Sequence, residues 1–86
     1  MDLSEVKIGD IIQIKEIRIS RRIFERFKSI NVNIGQTFIV KKVLKDRYIE
    51  LCSYNKKEEK NENKGFFVIS KFYFDKIEVD LIKNKI

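Results

Sequence analysis

The chain holds few residues that could do chemistry. It contains no histidine, which removes the commonest general base and the commonest transition-metal ligand. Its single cysteine, Cys52, cannot form an internal disulfide and has no imidazole to activate it as a nucleophile. One thiolate is also too few for structural zinc, which takes a full set of nitrogen or sulfur ligands. Its place in a strand predicts a packed, inert thiol. Glu58, Glu59 and Glu62 are interleaved with lysines, the pattern of a solvated, self-neutralising run. Glu78 and Asp80 fall on one face of the last strand, read as its solvent side, and hard-cation sites gather more oxygens than that. Gly9, Gly35 and Gly65 are isolated, so they form no phosphate-cradling loop. No catalytic residue, metal ligand set or cofactor site is expected, and the chain reads as a non-enzyme.

Two features suit binding instead. The first is a basic segment in which Lys15, Arg18, Arg21, Arg22, Arg26 and Lys28 stand against Glu16 and Glu25, a net +4 of the chain's +6. Cations on an exposed helix face are ordinary. Here, however, Arg21 and Arg22 at a helix start oppose its dipole, and Arg22 and Arg26 repel one another at i, i+4. Those penalties are roughly tenths of a kcal/mol, so they hint at an anionic partner beside the plainer reading of a solvated face. The second feature is Phe66, Phe67, Phe72, Tyr73 and Phe74. Five rings within nine positions cannot all point inward, and an exposed ring is a natural anchor for a partner. Tyr73 is the ring expected to stay partly exposed. The candidate partner-binding residues are therefore Arg21, Arg22, Arg26, Lys28 and Tyr73.

These residues must be positioned by the elements around them. Gly9-Asp10 signals a turn. After it Ile12 and Ile14 alternate with Gln13 and Lys15, and the alternation resumes one step late at Ile17 and Ile19. Such a slip predicts a β-bulge near Lys15-Glu16. Ser20 is placed to cap a helix, with Ile19 and Phe24 at the staple positions around it. Ile23, Phe27 and Ile30 then recur on one helical face, and Asn31 suits the helix end. Ile34-Gly35-Gln36 turns the chain into a strand over Thr37–Leu44, and Lys45-Asp46 turns it into Arg47–Tyr54. Asn55–Lys64 has no apolar residue and reads as an exposed, mobile loop. Phe66–Ser70 is a further strand, Ser70–Lys76 a single helical turn capped by Ser70, and Ile77, Val79 and Leu81 alternate in a last strand. Five short strands with one helix inserted after the first predict a small antiparallel barrel, its interior filled by side chains.

Eighty-six residues, 43% of them hydrophobic, suffice for one core and one domain spanning 1–86. No charged start followed by an apolar run occurs at Met1–Lys15, and no apolar run approaches the length of a membrane span. With a lone cysteine, the expected location is the cytoplasm.

The order of these motifs resembles the ferrous iron transport protein A (FeoA) family, over nearly the whole chain from Leu3 to Leu81. The resemblance rests on Leu3-Ser4-Glu5-Val6-Lys7-Ile8-Gly9-Asp10, on Arg22-(x)3-Arg26-Phe27 leading to Ile30-Asn31-Val32-(x)2-Gly35, and on Val68-Ile69-Ser70 through Ile77-Glu78-Val79. Asn31 stands where the family has a glycine, Phe74 where it has a small residue, and Asn55–Lys64 is a longer hairpin loop. The resemblance implies an SH3-like β-barrel with a helical turn before the last strand, a fold shared with the C-terminal domain of diphtheria-toxin-type iron-dependent repressors. It implies an accessory role in ferrous iron transport, by binding the cytoplasmic G-protein domain of the membrane transporter (FeoB). It links the chain to transition-metal handling at the level of the family, with no metal of its own, no small-molecule substrate, and room for a homo-oligomer. The reading from charge and rings alone leaves another class open, a basic barrel that binds nucleic acid or acts as a regulatory module.

Overall fold

In the computed structural model, residues 1–29, 32–54 and 66–85 are described. They form a mainly β protein of five antiparallel strands in one sheet, in the order β4-β3-β2-β1-β5. The strands are β1 (Asp10–Ile17), β2 (Thr37–Leu44), β3 (Tyr48–Ser53), β4 (Phe66–Ser70) and β5 (Ile77–Asn84). One helix, α1 (Arg21–Ser29), follows β1, and two 3-10 turns cover Leu3–Glu5 and Lys71–Lys76. The expected bulge is present. The β1–β5 register slips between Ile14 and Glu16, so Lys15 is the extra residue that bends the strand. A second slip lies between Ile11 and Ile12.

The bend divides the strand's duties. Ile11, Ile12 and Gln13 pair with β2, while β5 is followed through to Ile17. At the divergence Ile14 still exchanges bonds with the turn before β2: Gly35 N donates to Ile14 O at 2.7 Å and Ile14 N to Gln36 O at 2.9 Å. Gly35 has φ of 92°, so the expected turn there does require a residue without a side chain. The bent sheet encloses Ile12, Ile14, Phe38, Val40, Ile49, Leu51, Ile69, Ile77 and Val79, with Phe27 of α1 packed among them. Phe67 meets Phe38 edge to face, centroids 5.5 Å apart.

The two outer strands, β4 and β5, are bridged by short elements. The two 3-10 turns touch each other, and between them they touch β4 and β5. Lys71 N donates to Arg47 O at 2.9 Å, Arg18 N to Lys76 O at 2.7 Å, and Val79 N to Met1 O at 2.7 Å. The first turn is a capping box: Asp2 accepts from Ser4 N, and Glu5 accepts from Asp2 N. Asp-x-x-Glu at Asp2–Glu5 is a legible signal for it in the sequence.

Most other sequence expectations hold. Ser20 Oγ accepts from Ile23 N at 3.4 Å, and Ser70 Oγ from Phe72 N at 3.3 Å, so both serines cap as expected. Cys52 is fully buried. Ile30, Asn31 and the loop Asn55–Lys64 lie outside the described residues. Three details differ. β1 ends at Ile17, and Ile19 sits beyond it, half-buried against the core. Leu81 was expected inward with Ile77 and Val79 but is exposed, because the second half of β5, from Asp80 on, runs past the core and is exposed throughout. Glu78 was assigned to the solvent side but is half-buried, 3.8 Å from Arg18.

One buried carboxylate holds the entry turn. Asp10 is 5% exposed. It accepts Lys7 N at 2.8 Å and the Asn84 side-chain amide at 2.6 Å, tying the turn at Gly9 to the end of β5. Replacing it by alanine removes the acceptor of both bonds, including the one to the entry turn. Asp10→Ala should lower stability by about 1–3 kcal/mol, read as a lower urea midpoint with an unchanged slope.

Candidate docking groove between the helix and the closing turn

The closing turn, Lys71–Lys76, has three residues per turn, so side chains three apart share a face. Phe74 and Ile77 are accordingly buried together. Phe72 and Tyr73 are left on the other faces. Tyr73 is half-buried and packs edge to face on Phe27 of α1, centroids 5.3 Å apart. Phe72 stands against Tyr73 at 5.0 Å and is 64% exposed. Lys76 fixes that ring: its ammonium lies 4.4 Å from the Phe72 centroid and donates to Phe72 O at 3.3 Å. Between this turn and the start of α1 lies an open groove of about 370 Å³, lined by Ile19, Ser20, Ile23, Phe72, Tyr73 and Lys76.

The structure thus brings Tyr73 to the helix and half-exposes it. Arg21, Arg22, Arg26 and Lys28 are all exposed on α1, outside the groove's walls. Among the described residues none of the four makes an ion pair. Arg18, the neighbouring cation, behaves differently. It reaches Glu16 at 3.2 Å, Glu78 at 3.8 Å and Asp75 O at 3.2 Å, and so staples β1 to the closing turn. Of the basic segment, Arg18 is structural, while the helix cations pair with none of the described residues.

Phe72 is the groove's most exposed ring and was not singled out from the sequence. A serine cap followed by a period of three would have distinguished it from Phe74. Ile19 and Ile23 were read as core and staple residues. Both pack on the core from one side and line the groove from the other.

Among the described residues no group of three or more acidic, histidine or cysteine side chains could hold a metal ion, and no helix is long and apolar enough to cross a membrane. Comparison of the chain with family models, curated proteins and solved structures finds no match.

The two rings should respond differently to truncation. Phe72→Ala, at an exposed site, should change stability by no more than about 0.5 kcal/mol. Tyr73→Ala removes the packing on Phe27 and should cost about 1–3 kcal/mol. Urea unfolding of the two variants checks both values.

Proposed function

We propose that the chain is a protein-docking module whose groove between α1 and the closing turn receives an apolar side chain from an acidic partner segment. The observation that carries this is the exposed Phe72 ring beside an apolar groove, next to four exposed cations on one short helix. An aromatic anchor supplies affinity, and the rim charges steer the encounter. In keeping with the motif order that resembles the FeoA family, the partner is the G-protein domain of a membrane ferrous iron transporter. The module then acts in the cytoplasm as a regulatory accessory of iron uptake, without catalysing a reaction.

The test is retention of the cognate transporter's G-protein domain by this protein at about 50 μM. Binding should weaken as salt rises. Phe72→Ala and the double variant R22E/R26E, each checked for folding by circular dichroism, should weaken it at least about tenfold. No retention, or variants that bind like the parent, overturns the assignment. Tight binding of single-stranded nucleic acid with a steep salt dependence would replace it with the nucleic-acid reading.

A further inference from the structure

A second apolar cluster lies on the opposite face of the sheet from the main core. Ile11, Ile39 and Cys52 are direct neighbours across β1, β2 and β3, and alternation turns them away from Ile12, Phe38 and Leu51. With Tyr54 they form a separate buried group. Beside it lies a depression of about 470 Å³ lined by Ile11, Gln13, Thr37, Tyr54, Ile82 and Lys83. That volume is within the range of small-molecule sites, which combine apolar walls with a few polar groups.

The polar groups here are asymmetric. Lys83 pairs with Ile11 at one end of the depression, and Lys85 places its ammonium 4.8 Å from the Tyr54 ring centroid. At the other end Gln13 is paired with Asp80. None of the six described lining residues is acidic. Tyr54 is 7% exposed, and its hydroxyl is buried with no hydrogen-bond partner among the described residues. A buried donor without an acceptor is destabilising, and native structures rarely leave one unmet.

We propose that this depression binds a small organic monoanion, a carboxylate on an apolar body. The body lies on Ile11 and Ile82, and the carboxylate sits at the lysine end, where Lys83 and Lys85 balance its charge; a side-chain shift on binding opens the buried Tyr54 hydroxyl to the depression, so that it donates to the carboxylate. Asp80 at the far end disfavours the reverse orientation. The interior of the bent sheet is filled by side chains, as expected. This site is on the sheet's outer face and is independent of the docking groove.

The probe is 3-phenylpropionate, with 3-phenyl-1-propanol as its uncharged counterpart, titrated into the full-length protein and followed by amide NMR shifts. Saturable shifts are expected for 3-phenylpropionate at Ile11, Gln13, Thr37, Tyr54, Ile82 and Lys83, with a dissociation constant of about 1 mM or below. The alcohol should bind about tenfold more weakly. Lys83→Met, which keeps the aliphatic stem, and Tyr54→Phe, which keeps the ring, should each weaken 3-phenylpropionate binding by at least about threefold. The thermal midpoint of each ligand-free variant should stay at or above that of the parent. Shifts that remain linear to about 20 mM overturn the proposal. Equal affinity for acid and alcohol, shifts centred on α1, or a Tyr54→Phe variant that binds like the parent also overturn it.

Discussion

The bend in β1 at Lys15 is the constraint on which the rest of the structure depends. A straight strand would keep the same two neighbours along its whole length and leave the sheet unbent. One inserted residue lets β1 leave β2 after Ile14 while keeping its pairing to β5 as far as Ile17. The helix that follows β1 adds Phe27 to the core that this bent sheet encloses. The same bend brings Arg18 against the closing turn, where its backbone and its guanidinium both bond. From that contact follow the place of Lys71–Lys76 and the groove it makes with α1.

Bridging the outer strands is left to elements too short to be stable alone. Each 3-10 turn has its own serine or aspartate cap, and each drops one large apolar side chain, Leu3 or Phe74, into the interior. Local capping sets their shape and burial sets their position. That division explains why the closing turn can present Phe72 to solvent without loss of structure. Its conformation is held by Ser70, Phe74 and Lys76, and Phe72 contributes little to it beyond the contact with Tyr73.

The sheet is apolar on both faces, unusual for an antiparallel sheet, whose outer face is commonly polar. Ile11, Ile39 and Cys52 sit on the outer face yet are as buried as the core. A structural explanation suffices for Cys52, whose thiol is packed. It does not suffice for Tyr54, whose ring is at home in the cluster and whose hydroxyl is not. The polar handle of a tyrosine is normally satisfied when the ring is buried, and this one has no partner among the described residues.

Local physics made much of this architecture legible. Alternation located the strands, the late resumption at Ile17 revealed the bulge, and Ser20 and Ser70 announced their helical segments, because each signal is carried by neighbours in the chain. The absence of histidine bounded the chemistry equally directly. The sequence by itself therefore determined the elements, the mainly β class and the residues available for any function. What the tertiary structure decided were the pairings between distant positions. It separated Arg18, tied down by Glu16, Glu78 and Asp75, from the exposed cations of α1. It set Tyr73 on Phe27 and left Phe72 outside, and it joined Ile11, Ile39, Cys52 and Tyr54 into a second cluster. Apart from the outward place of Phe72, which a period of three after Ser70 would give, none of these follows from composition or period, since which side chains meet is fixed by strand register and by the bend at Lys15.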